Sequence, residues 1–278
     1  GKVPGTVLNQ FSMDEHKEHF RIATTTWRQE GPSNHLFVLD KAMNLAGEIR
    51  NLAPGERIYS ARFMGDRAYL VTFELVDPLF VLDLANPKKP VLLGELKIPG
   101  FSNYLHPLDD NHLLGIGKDT TVTTGWGGQP MAIELGIKMA VFDVRDVHNP
   151  VEKHVEIIGG RGTHAEVLHN HKALLFDQSR NLLAFGLTVH ESPGDPLGYG
   201  KFTFQGACVY NIDLEKGFQL KGRITHNDNM QPVNYRYAGD KEVKRVLYIN
   251  DLLYAVSDSR ITAHRPSDLS RIKTVNLK

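Results

Sequence analysis

The sequence predicts an all-β protein made of repeated four-stranded antiparallel units, and three observations predict it. First, apolar, β-branched and aromatic runs of strand length alternate with turn signals along nearly the whole chain, without a 3.6-residue period. Second, HLFVLDK, PLFVLDL, MAVFDVR, ACVYNID and RITAHRP fall on one another, with Asp40, Asp83, Asp143, Asn211 and His264 at one common position, spaced 43, 60, 68 and 53 residues apart. Third, three of the runs that follow carry one small signature, AGEI at 46–49, LGEL at 93–96 and KGRI at 221–224. A repeat of about 40 or more residues holding four strands has the period of a propeller blade.

The elements can be taken in order. Unit one reads as VLNQFSM, FRIATTT, HLFVLDK and LAGEIRNL. Unit two is the clearest: RIYSARFM, RAYLVTF, PLFVLDL and VLLGELKI are split by Gly65-Asp66, Asp77-Pro78 and Asn86-Pro87. Unit three takes SNYLHPL, HLLGIGK, KMAVFDV and HVEIIGG; unit four takes ALLFDQ, NLLAFGLTV, ACVYNID and FQLKGRI. Unit five takes RVLYIN, LLYAVSD, RITAHRP and IKTVNL. The expectation is one β-propeller domain over 1–278, with blades at about 6–54, 55–100, 101–160, 161–228 and 229–278. Every unit begins with its innermost strand, so the chain reads either as a five-bladed ring or as a fragment of a larger propeller. Leu82 and Phe142 alternate with the aligned aspartates, so one face of each third strand should pack between blades.

Composition narrows the partners. The 278 residues carry 32 Lys and Arg against 32 Asp and Glu, which removes the electrostatic case for nucleic acid or an anionic membrane surface. Cys208 is the single cysteine, which excludes an intramolecular disulfide and a thiolate-rich metal site; within ACVYNI it reads as a small buried side chain. No apolar run approaches the roughly 18 residues that span a bilayer. The chain starts at Gly1 without a basic and apolar leader, so any signal peptide is expected to have been removed or to lie outside this sequence.

Extra length collects between second and third strands. Unit three inserts DTTVTTGWGGQPMAIELG and unit four VHESPGDPLGYGKFTFQG, both expected as long loops. In a four-stranded blade that connection emerges on the same face as the connection to the next blade. Trp27 and Trp126, the two tryptophans, lie in such connections. The inter-blade segments add His164, Glu166, His169 and His171, and further on His226, Asp228, Tyr235 and Tyr237. Aromatics, histidines and amides on irregular segments are what a binding surface uses. Tyr59, Arg62, Asn103, Tyr104 and His106, on innermost strands, should border the same face.

Candidate chemistry is sparse. Glu166, His169 and His171 offer nitrogen and oxygen ligands, but their spacing matches no specific zinc pattern and solvated loop positions explain them as well, so no metal is assigned. Five-bladed rings include glycoside-cleaving enzymes with carboxylates on inner strands, whereas here those strands offer Arg62, Tyr104, His106 and Asp177 and no acidic trio. Asp40, Asp83 and Asp143 fall at third-strand ends, where carboxylates accept backbone hydrogen bonds. GWGG and GGRG read as turns, since neither follows a strand and opens a helix. No Gly-x-Ser-x-Gly elbow occurs.

The stretches VLNQFSMDE, LAPGERIYSARFMGDRAYLVTF, VDPLFVLDL and LGELKIPGFSNYLHPLDDNHLLGIG resemble the secreted bacterial and archaeal proteins that carry a β-propeller domain distantly related to WD repeats. The likeness runs from about Val7 to Ile224. It implies an extracytoplasmic propeller and supplies no reaction, cofactor or catalytic residue to carry over. The chain lacks the long region that usually precedes VLNQFSMDE in that family, which leaves room for more blades in the parent protein. The leading expectation is a noncatalytic module, without cofactor, that presents loops on one face to a protein, peptide or glycan at the cell envelope. The competing expectation is a hydrolase or metal-dependent enzyme at the channel mouth.

Overall fold

A computed structural model describes residues 1–75, 77–227 and 239–277 of the chain. Five antiparallel sheets follow one another. The first holds β1 (Met13–His16), β2 (His19–Arg28), β3 (Gly31–Leu39) and β4 (Leu45–Leu52); the second holds β5 (Arg57–Met64), β6 (Arg67–Phe73), β7 (Asp77–Asp83) and β8 (Val91–Ile98). The third holds β9 (Phe101–Asp109), β10 (His112–Thr124), β11 (Pro130–Asp143) and β12 (Val151–Ile158). The fourth holds β13 (His164–Ala165), β14 (Leu175–Asp177), β15 (Leu182–Glu191), β16 (Lys201–Asp213) and β17 (Gly217–Ile224). The fifth holds β18 (Arg245–Ile249), β19 (Leu252–Val256), β20 (Arg260–His264) and β21 (Arg271–Asn276). Each sheet is a meander in chain order, the arrangement of a propeller blade, except that in the fourth the short β13 and β14 both pair with β15. Among the described residues the helices are three-residue 3-10 turns, and none is long and apolar enough to cross a membrane.

Two positions depart from expectation. The run VLNQFSM is not the first strand: Asn9 accepts a hydrogen bond from the Phe11 amide and caps a 3-10 turn at Gln10–Ser12, so the strand starts at Met13. In the fourth sheet the ALLFDQ strand shrinks to Leu175–Asp177, and His164–Ala165 pairs with the far end of β15 as a fifth strand.

The repeat is physical as well as textual. In the middle three blades the amide after the aligned third-strand residue donates to the turn between the first two strands, Leu84 to Asp66, Val144 to Asn111 and Ile212 to Asn181, at 2.8, 2.9 and 2.8 Å. The aspartates do what their position suggested. Asp40 accepts from the Ala42 and Asn44 amides, Asp83 from Ala85 and Asp143 from Arg145.

The chain's contacts cluster in two compact units, Gly1–Ile133 with Ala140–Lys153, and Glu134–Met139 with His154–Lys278. In the first unit, β6 and β7 bury both faces. Leu70, Phe80 and Leu82 pack with Leu36 and Val38 of the first blade, while Tyr69, Val71, Leu79 and Val81 pack with Phe101, Leu105, Leu113 and Phe142 of the third. Burial on both faces explains the unbroken apolar runs, where a one-sided sheet would alternate. In the second unit, Leu182, Ala184, Ala207 and Val209 meet Val246, Leu253 and Ala255. At the turn end opposite the long hairpins, Arg21 bridges the first two blades: it pairs with Asp14, donates to the Gly65 carbonyl at 2.7 Å and lies 5.2 Å from the Phe63 ring.

The AGEI, LGEL and KGRI signature has a steric cause. A Cβ on Gly47 would lie 2.4 Å from the Pro87 carbonyl oxygen, on Gly94 2.5 Å from that of Val147, and on Gly222 2.8 Å from Leu269 Cδ1. Each contact comes from the third-to-fourth-strand turn of the next blade, so the glycine lets that turn nest against the sheet. The third blade reverses the arrangement. His154 holds the equivalent place and bonds the Leu214 carbonyl at 2.8 Å, and the glycine moves to the neighbouring turn as Gly217, whose Cβ would meet the His154 ring at 2.9 Å.

Two stability outcomes are expected. Phe142, 1% exposed, should cost about 3 to 5 kcal/mol on truncation to Ala. Gly94→Ala should cost about 1 to 3 kcal/mol by overpacking against Val147 and His148, whereas Gly65→Ala, with no atom within 4 Å of its Cβ position, should show only the strain of its φ of 54°. Denaturant melts of the three variants check both statements.

Candidate functional site

Five times, the segment leading into a blade is bonded to the end of that blade's second strand. Thr6 pairs with Thr25 through both backbone amides; Thr72 Oγ1 donates to Glu56; the Gly100 amide donates to Thr120 Oγ1 at 2.9 Å. Thr163 Oγ1 accepts from the His190 amide at 3.0 Å, and His226 Nδ1 meets Ser257 Oγ at 2.8 Å. Within each unit this places the inter-blade segments beside the second-to-third-strand connections, as the blade geometry required. Further bonds tie the tips: Gly55 N to Pro32 O in the first unit, and Gly200 N to Arg161 O in the second, both 2.9 Å.

The two insertions are strands rather than loops. TTVTT extends β10 to Thr124 and β11 begins at Pro130; β15 runs to Glu191 and β16 starts at Lys201, leaving 125–129 and 192–200 as turns. β-Branched and aromatic residues carry the ladders outward, with Val189 facing Phe204 and His190 facing Phe202 in the second. Trp27 is 62% and Tyr199 75% exposed at hairpin ends, and Arg161 covers the Tyr199 ring at 4.3 Å while donating to the Leu197 carbonyl. Trp126 sits in a 3-10 turn, Trp126–Gly128; its side chain, and Asp228, Tyr235 and Tyr237, lie outside the described residues.

The histidine segment does not gather around an ion. Glu166 is held by Arg245 at 2.7 and 2.8 Å and by Asn170 Nδ2 at 2.9 Å, which keeps its carboxyl below the usual range. His164 points instead toward His190, 6.4 Å between ring centres, and His169 is exposed at the end of a 3-10 turn that His171 follows in the next. Among the described residues no group of three His, Cys, Asp or Glu side chains has the geometry to hold a metal ion.

The innermost strands of the second and third blades do bring sequence candidates together. Both carry a bulge at the same place: Tyr59 is skipped between the Ile58–Thr72 and Ser60–Val71 pairs, and Asn103 between Ser102–Gly117 and Tyr104–Ile116. A bulge re-aims the extra side chain. Tyr59 packs at a tilt against Phe101 at 4.6 Å and edge-on against Phe73 at 5.6 Å under the Arg57 guanidinium; Asn103 keeps its Oδ1 buried without a partner among the described residues. Beyond the bulge, Arg62 and His106 hold equivalent positions. Arg62 donates through Nε and Nη2 to the Leu105 carbonyl at 2.9 and 2.6 Å, between the rings of Phe11 (4.1 Å) and Tyr104 (5.4 Å). The Tyr104 hydroxyl lies 3.0 Å from His106 Nδ1. Burial, then the Arg62 charge, push the His106 pKa down to about 4, so its ring is neutral at pH 7; burial raises that of Tyr104. Among carboxylates, Asp14 is paired with Arg21, and Asp177 with Ser179 and Arg180.

Residues 1–269 match the family described as a beta propeller domain. The chain belongs to that family. Over 276 residues, 99% of the chain, it is 33% identical to an uncharacterised protein of Archaeoglobus fulgidus, and over 155 residues, 55% of the chain, 46% identical to one of Methanocaldococcus jannaschii. The propeller spans 36% and 23% of those relatives' lengths. Among solved structures it resembles the Pan2 WD40 domain of Neurospora crassa, with a TM-score of 0.48 at 9% identity, covering 96% of this chain and 78% of that one.

Phe11, Arg161 and His190 carry no signal in the sequence that marks them for the site. Phe11 was hidden inside an expected strand, and Arg161 inside a glycine run read only as a turn. The lowered His106 pKa gives a pH test for this propeller. A pKa below the unfolded value of about 6.5 adds stability above pH 6.5 that is lost as pH falls toward 4. Urea midpoints should therefore fall between pH 7 and pH 4.5, and His106→Gln should reduce that fall.

Proposed function

We propose that this propeller is a noncatalytic binding module acting outside the cytoplasm, with a peptide or protein segment, or a glycan, of the cell envelope as its ligand. The observation that carries the reading is the shared end of each unit, where inter-blade segments and lengthened hairpins are bonded together and exposed Trp27 and Tyr199 stand on backbone fixed by hydrogen bonds. Rigid aromatic anchors with a guanidinium on the ring face are what binding surfaces are enriched in. A surface already fixed by its backbone loses little conformational freedom on binding. The extracytoplasmic setting is supported by the likeness to secreted propeller proteins. Fractionation of the native cells tests it, and recovery of the protein with the cytosol would overturn it.

The site is tested by shortening each extended hairpin to a four-residue turn, alongside Trp27→Ala and Tyr199→Ala, with folding checked by circular dichroism. Binding to arrays of envelope peptides and glycans should drop at least about tenfold in the hairpin and aromatic variants of the unit that carries the site. Binding that survives all of them would move the site elsewhere.

A further inference from the structure

We infer that the cluster around Arg62 on the innermost strands is a carboxylate-binding site that takes the free C-terminus of a peptide ending in an apolar residue. The inference rests on the binding-module reading above and names the ligand chemistry. Arg62 is half-buried, permanently charged, and paired with no carboxylate among the described residues. Arg21, Arg145, Arg180 and Arg245 each have one, Asp14, Asp143, Asp177 and Glu166. Holding a cation away from water without an anion is unfavourable unless something else requires it.

Tying the two blades together does not require it. Ser60 Oγ already donates to the Ser102 carbonyl at 2.7 Å, joining the same pair of strands without a charge. Arg62 turns Nε and Nη2 onto a single oxygen, that of Leu105, and its one side-chain hydrogen-bond partner among the described residues is the neutral Tyr104 hydroxyl. Phe11 and Tyr104 fix the plane of the guanidinium from its faces, so the remaining donors are aimed before any ligand arrives. A carboxylate is the planar anion that a guanidinium edge fits.

The surroundings select for an apolar body on that carboxylate. Tyr59, Phe73 and Phe101, on β5, β6 and β9, form a contiguous aromatic group where the second and third blades meet, and the bulge directs Tyr59 out of the ladder. Arg57, over the Tyr59 ring at 4.6 Å, adds a second cation. His106 is neutral beside Arg62 and adds no competing charge of its own.

The test uses the intact chain and two probes, N-acetyl-leucyl-phenylalanine and its C-terminal amide, with glucuronate as a separate arm. Calorimetry should show the free acid binding at least about tenfold more tightly than the amide, and Arg62→Gln should lose that preference while Arg62→Lys keeps part of it. In the wild type alone, the acid should also raise the His106 titration midpoint followed by NMR, because it brings an anion beside the ring. Equal binding of acid and amide, no binding at about 10 mM, or an unchanged preference in folded Arg62→Gln would each overturn the inference. Tighter binding of glucuronate than of the peptide acid would assign the site to an acidic sugar and overturn the peptide. Array binding that is lost with the hairpins but indifferent to Arg62→Gln would sink this site and leave the binding-module reading standing.

Discussion

The bond between each blade's entry segment and the end of its second strand is the constraint on which the rest depends. Such bonds are modest, about 0.5 to 1.5 kcal/mol net, but a partner left unmatched in a buried place costs about 1 to 3 kcal/mol. The chain therefore keeps the bond and changes its chemistry: backbone to backbone at Thr6 and Thr25, carboxylate to hydroxyl at Glu56 and Thr72, imidazole to hydroxyl at His226 and Ser257. The last is part of a longer buried chain, in which His226 Nε2 meets Thr262 Oγ1 and Thr262 meets His264 Nε2, each at 2.8 Å. Because entry segments are held at one end of each blade, irregular backbone collects there and the tight turns collect at the other.

Much of the fold was legible because packing repeats. A third strand buried on both faces has no freedom to vary its apolar pattern, so HLFVLDK and PLFVLDL look alike. The glycine signature was visible but its cause was not, since Gly94 answers to Val147, more than fifty residues later. The exchange of His154 and Gly217 shows why the third blade lacks the signature: two residues on neighbouring blades meet, and either can be the small one. VLNQFSM misled for a local reason. Its apolar spacing suits a strand, yet the Asn9 side chain caps a turn, and side-chain capping overrides spacing.

The candidate site was legible in proportion to how far the repeat constrained it. Arg62, Tyr104 and His106 came together because innermost strands of successive blades are neighbours, which the meander dictates. Glu166, His169 and His171 were grouped by closeness in sequence alone. On 3-10 turns that closeness fixes no common direction, and the partner of Glu166 proved to be Arg245, 79 residues on. The insertions look like loops in the sequence because their glycines sit at the tips, while the β-branched residues flanking them form strands.

A repeated fold also shows where function can reside, once the repeat is subtracted. The residue paired with the third position of each second strand is Asp14, Arg62, His106, Leu175 and Leu247 in the five blades. The backbone role is the same at all five, so nothing in the packing of the blade calls for a charge there. In the first blade Asp14 has drawn Arg21 into the interior to match it, and the pair closes on itself. In the second, Arg62 has drawn two aromatic rings, the Tyr104 hydroxyl and a carbonyl oxygen, and among the described residues no carboxylate matches it.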